Sequence, residues 1–405
     1  MDGGYNVGLG LDTDRIEEGL VLILEDDGPR GVLVGTGPDR IFLGSAPAEH
    51  DWTGLAEEFQ GLLVRRDAAP SMAALPQRDL PPEVVVRELQ VRRARTIDLG
   101  ADSVGFVNAI TEVARSDSLL FVLDGMAQTI SVYQESNGAF VRSFGGQGRG
   151  PGEFEDPMAL AVFDDTVYVV DPTFGPRVSV FKHDGTFIEL RDLEVVGNPT
   201  DIVADAAGLV VITPPMPEQQ SGQRHIAHRL THGGEWLSSS CSRDGRFAIS
   251  AAEGGLLARM PFSFLTATTD AISCTQPISP TFQVIEGEVP GLSYAPPFYR
   301  APEDRPLAGV TQSVMFAFLS TWTSHGEAYV WRDRFLSVYS SYDEELASVV
   351  YHVFTCVLDR GRVQECGAVE GLGRIVDAPS RDTIYVEEIS DAAAPTVIAV
   401  LSIEW

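Results

Sequence analysis

From about residue 91 the chain alternates apolar and polar positions in short runs broken by Gly, Asp and Asn, the signature of half-buried strands joined by tight turns. Leu120–Asp124 is followed by Ile130–Tyr133 and by Gly138-Ala139-Phe140. The same order returns as Val167–Asp171, Val178–Phe181 and Gly185-Thr186-Phe187, displaced by 47 residues (48 for the middle strand). Weaker copies follow. They are Gly208–Ile212 leading to Arg229-Leu230 and Trp236, Ile272–Ile285, Ala328–Trp331 with Leu336–Tyr339, and Ile384–Glu388 with Thr396–Val400. Taking Phe121, Tyr168, Val210, Ile272, Tyr329 and Tyr385 as equivalent gives six units spaced 47, 42, 62, 57 and 56 residues apart.

Six four-stranded units of that length predict an all-β fold, a six-bladed β-propeller over residues 91–405. Arg92–Leu99 reads as a strand, and the chain ends in another, Val397–Trp405. Pairing the two in the last blade would close the ring and remove both open edges. Residues 1–90 have a different texture and no assignable fold. Leu20–Leu24, Gly31–Val34 and Arg40–Leu43 read as strands, Asp51–Arg65 has helical spacing, and Asp67–Glu83 reads as an Ala/Pro linker.

Charge narrows the function. With 58 acidic against 29 basic residues the net charge is −29. A polyanion gains no counterion release from another, so nucleic acid is excluded as a partner. Lys182 is the only lysine; GC-rich coding and an acidic surface adapted to salt both account for that. The apolar runs are too short to span a bilayer, and the N-terminus as given has neither a basic nor an apolar leader region. Localisation is left open, and the chain is expected to be a monomer.

The four cysteines, Cys241, Cys274, Cys356 and Cys366, contain no CxxC pair. A three-residue Arg360-Gly361-Arg362 turn would put Cys356 opposite Cys366. That register allows a disulfide, or two buried thiols.

Between the first two units runs Phe144-Gly-Gly-Gln-Gly-Arg-Gly150-Pro151-Gly152-Glu153-Phe154, followed by Pro157, a strand ending in Asp171, and Arg177-Val-Ser-Val-Phe181. This resembles the NHL-repeat signature, strongly over residues 105–190 and more weakly to Trp405. It looks most like bacterial six-bladed NHL-like propellers that are often exported or lipid-anchored. The resemblance implies that Asp171 and Arg177 bridge a turn. The residues themselves explain the rest: glycines cross tightly between blades, Pro151 stiffens the crossing, and Phe154 plugs the seam between sheets. A phosphate loop is excluded, because the Gly-Lys-Ser/Thr ending and the following helix are missing.

No catalytic motif stands out. His225, His228 and His232 would share a helical face fit for a metal, but the flanking glycines favour a strand that separates His225 from the others. His183 and His232 fall at equivalent turns. Tyr294, Phe298, Tyr299, Arg300 and Trp322, in or near the Pro290–Pro306 insertion, are candidate binding residues on one face, or anchors of that insertion. The leading expectation is a non-catalytic scaffold binding a protein, peptide or small molecule, with no resident cofactor. The resemblance also covers metal-dependent lyases and lactonase-like hydrolases, with calcium or zinc in the central channel. That second reading predicts acidic or histidine side chains from several blades meeting at the axis. The scaffold reading predicts a channel of small or apolar residues. RNA binding, known among animal NHL proteins, is disfavoured by the charge.

Overall fold

A computed structural model describes the backbone pairing of residues 20–23, 30–34 and 41–46. It also describes residues 80–405, apart from 101–106, 108, 117, 215–224, 248–249, 251–254, 256, 258–262, 288–293, 305–317, 319, 344–345, 347, 360–361 and 389–395. Leu20–Ile23, Arg30–Val34 and Ile41–Ala46 form a three-stranded antiparallel sheet, in line with the three strands expected there. The helix expected at 51–65 lies outside the described residues.

The remaining strands form six sheets in chain order. Their first strands are Ile110–Ser116, Ala159–Phe163, Asp201–Asp205, Phe264–Ala267, Ser324–Trp331 and Arg374–Ser380. These six ring a common axis, each beside its neighbours, and the later strands of each sheet step outward. Leu119–Asp124 and Thr129–Gln134 are buried on both faces because each blade is sandwiched between two others. Between blades one and two lie Phe121, Leu123, Ile130, Val132, Leu160, Val167, Val169 and Phe181.

Closure follows the expected route. Val397–Glu404 pairs antiparallel with Gln90–Asp98, so the N-terminal strand of the ring completes blade six. Val86–Glu88 joins the outer edge of blade five in parallel, just ahead of the expected start of the ring. One phase differs from expectation. Tyr329 lies on the innermost strand of its blade, whereas Phe121, Tyr168, Val210, Ile272 and Tyr385 lie on second strands. Blade five has unusually long, bulged strands, and its apolar runs imitate the template one strand early. Blade four has three described strands rather than four.

Cys356 and Cys366 are disulfide-bonded across neighbouring strands, with Cα atoms 4.1 Å apart. The register is reached by another route than a three-residue turn. Asp359 pairs with Arg362, and a bulge beyond Leu358 restores Cys356 opposite Cys366. A second disulfide, Cys241–Cys274, joins blade three to blade four and was not foreseen.

Candidate functional site: the axial channel

The Gly-rich crossing is structural. Phe154 is fully buried between blades one and two, with Phe181 5.7 Å away. A Cβ on Gly145, whose φ is 93°, would stand 2.5 Å from the Phe154 ring. Gly150 is not at positive φ. Glu153 accepts its N–H at 2.7 Å and would have to shift slightly for a side chain there, while Pro151 and Gly152 turn the chain between them. Asp171 and Arg177 do not bridge each other. Buried Asp171 accepts the N–H groups of Glu155, Asp156 and Thr173, tying strand end to crossing. Arg177 reaches the exposed Asp192 instead, at 2.6 Å.

The histidines go three ways. His225 is exposed. His228 is buried between Thr213 and Ser239 hydroxyls, and burial pushes its pKa down. His232 stacks on Phe163 and meets the Tyr168 hydroxyl at 3.1 Å. His183 leans on Phe121 of its preceding blade in the same way, so both turn histidines pack against the blade before their own.

The binding candidates turn mostly inward. Tyr294 and Trp322 are buried, and Phe298 and Tyr299 pack edge-on against Tyr339. Tyr299 donates its hydroxyl to the Ile278 carbonyl at 2.7 Å, and burial raises its pKa beyond the ordinary phenol range. Arg300 alone of the five is exposed; its backbone is tied to Thr323. The aromatics anchor the insertion to the ring, because a long loop needs buried apolar area to offset its ordering.

A different set converges on the axis. Glu112, Asp201 and Glu327 sit on the innermost strands of blades one, three and five. Glu112 is influenced by both others. Alternate blades do not touch along their faces, so this influence crosses the centre of the ring. Each of the three residues is half-buried. Burial first, then mutual repulsion, raises Glu112 well above the usual carboxylate range. Burial lifts Asp201 to about 7 against the N–H groups of Leu265 and Ile202 that hold it down. Burial likewise takes Glu327 to about 7, opposed by Arg374 and reinforced by Asp201 and Asp377.

The two channel arginines are committed to the junction of blades six and one. Arg374 donates to the carbonyls of Ile110 and Thr111 and lies 3.5 Å from Glu387. Arg115 pairs with Asp377 at 2.5 Å. Glu112, Asp201, Glu327 and Asp377 outnumber them, so the axis is acidic. The sequence alone could not isolate these residues, since carboxylates are too common in this chain to single out any pair. Their position on first strands is the signal that a correct blade phase would have supplied.

A family profile described as "6-bladed beta-propeller" matches residues 95–201. The chain is a six-bladed β-propeller. No match is found among curated proteins. Among solved structures, this propeller resembles a putative exported protein from Bacteroides fragilis, with 13% identity, TM-score 0.58, and coverage of 81% of this chain and 99% of that one. It also aligns with Kuenenia stuttgartiensis hydrazine synthase at 12% identity and TM-score 0.36, over 69% of this chain and 73% of that one. At that identity the first likeness speaks to the propeller fold alone. Among the described residues, no helix of the propeller is long and apolar enough to cross a membrane.

Proposed function

We propose that the propeller is a ligand-binding scaffold whose acidic axial channel takes a cationic group, an ammonium or guanidinium on a small molecule or peptide. The observation carrying this reading is the placement of Glu112, Asp201 and Glu327 on the innermost strands of three alternate blades, near enough to repel one another, while Arg115 and Arg374 are held at a blade junction. An acidic axis departs from the small or apolar channel expected of a scaffold, and acids from several blades are what the metal-dependent lyase or lactonase-like reading predicts. Its donor set does not fit as placed: among the described residues, no three His, Cys, Asp or Glu groups stand close enough to share one ion. No metal-dependent step is therefore assigned. The scaffold works in an oxidising compartment on this reading, supported by two disulfides that consume all four cysteines.

Raised carboxyl pKa values set the sign of the pH dependence. The folded channel holds protons that the unfolded chain releases near pH 4, so this term loses stability as pH rises from about 4 to about 7. A cation favours the ionised carboxylates, so its affinity should rise through pH 7 with proton release. Titration calorimetry with alkylguanidinium, alkylammonium, calcium and zinc at pH 6 and 8 tests this, in buffers of different ionisation heat. Organic-cation binding that strengthens at pH 8 and disappears in an E112Q/E327Q variant is expected. The same variant should gain on the order of 1–2 kcal/mol of stability at pH 8 and nothing at pH 4. Failure of every cation to bind at pH 8 would sink the reading. Binding of a metal ion alone, with stability lost on chelation, would reinstate the enzyme alternative.

A further inference from the structure

Blade five carries a constellation that the channel does not use. Its second strand, Arg334–Asp343, outruns the innermost one: pairing to that strand ends at Ser340. Just beyond, Ser341 stands next to His352 of the third strand, Ser348–Asp359, with Ser341 Oγ 2.8 Å from His352 Nε2. The other ring nitrogen, Nδ1, lies 3.7 Å from Glu370 Oε2 on the fourth strand, Arg362–Leu372. A bulge produces that aim. Val353 pairs with Val369 and Tyr351 with Leu372, so His352 faces the extra residue, and Gly371 takes the required φ of 77°. The imidazole is buried, braced by the Phe298 ring at 5.2 Å, while Ser341 keeps partial exposure and Glu370 is open to solvent. Val350, directly opposite Ser341 on the third strand, supplies an apolar side chain beside the hydroxyl.

We propose that Ser341, His352 and Glu370 form a nucleophile, base and orienting carboxylate that is acylated by small, activated carboxylic esters. With its proton on Nδ1 facing Glu370, His352 presents the Nε2 lone pair to the Ser341 hydroxyl. Ser341 Oγ adds to the ester carbonyl carbon as its proton passes to Nε2. Collapse of the tetrahedral adduct breaks the bond to the leaving alcohol, which departs with that proton. Water is the second substrate: it gives a proton to Nε2, adds to the acyl carbon, and expels Ser341 Oγ, which recovers the proton. The product is the free carboxylic acid. Glu370 touches no reacting atom and is a positioning residue. It is the charged group facing the imidazole, with the neutral Tyr339 phenol opposite on the second strand and the apolar Phe298 above.

The test uses the full chain and a fluorophosphonate probe, whose phosphorus takes Ser341 Oγ and expels fluoride. Peptide mapping by mass spectrometry should place one adduct on Ser341, and p-nitrophenyl acetate should give a burst of p-nitrophenol. S341A should abolish both with an unchanged thermal midpoint. H352Q should slow labelling about 10²-fold. E370Q should slow it less and move the rising limb of the pH–rate profile downward, because the carboxylate favours the imidazolium and its loss leaves burial unopposed. No adduct on Ser341 at pH 8 in folded protein, or an adduct that forms as fast in H352Q, overturns the proposal. If S341A fails to fold, the H352Q rate and the E370Q pH profile decide it.

Discussion

Blades one and two meet differently from blades three and four. At the first junction the chain crosses on a Gly-rich link, and Phe154 fills the space between two regular sheets. At the second, blade four has three strands among the described residues, and directed bonds are added to the apolar packing. Cys241 of the outer strand of blade three is bonded to Cys274 of blade four. Arg229 of blade three, itself buried, reaches Asp205 of its own blade at 2.8 Å and Glu286 of blade four at 2.6 Å. The Gln276 and Gln283 side chains donate to the Ser242 carbonyl. The first junction rests on apolar packing; the second adds covalent and ionic links to its own apolar cluster of Val210, Ile212, Leu265 and Ile272.

Removing the plug should have the largest effect. Phe154→Ala should cost about 3–5 kcal/mol in denaturant unfolding, since the rigid crossing cannot collapse into the cavity. A loss under 1 kcal/mol would mean the seam repacks. The C241S/C274S double variant should lose about 3–4 kcal/mol, from the loop it closes. If its loss matches reduction of the wild type, the Cys356–Cys366 pair adds little. Arg229→Met should cost about 2–3 kcal/mol, because Asp205 and Glu286 keep partial access to water. A double-mutant cycle with Glu286→Gln should recover most of it. Arg177→Ala should be the smallest change, within about 0.5 kcal/mol, as its partner Asp192 is largely exposed. A larger loss would restore the bridging role that the NHL resemblance implies for it.

Much of the architecture was readable because alternation is local: Tyr168 and Phe121 announce their strands through their immediate neighbours. Closure was readable too, because a terminal strand beside an open edge has one economical partner. The phase of blade five was not, since its bulges let Tyr329 mimic a second-strand residue. The Cys241–Cys274 link depends on how two blades abut, which no local spacing encodes. The aromatic candidates Tyr294 and Trp322 were found by residue type, but type does not say which way a loop folds back. The channel acids and the Ser341–His352–Glu370 group need three strands or three blades in place before they exist.

Closure of the ring also has a history in time. The bond from Ser402 to the Arg92 carbonyl spans 310 residues. During synthesis the strand Gln90–Asp98 emerges early and stays without its partner until almost the whole chain has followed. Non-local pairing of this kind folds slowly, and an open strand edge is exposed to neighbouring chains meanwhile. Arg92, Arg93 and Arg95 charge that waiting edge against self-pairing. Val397–Glu404, made long after its partner, is thus both the clasp of the finished ring and the clock of its assembly.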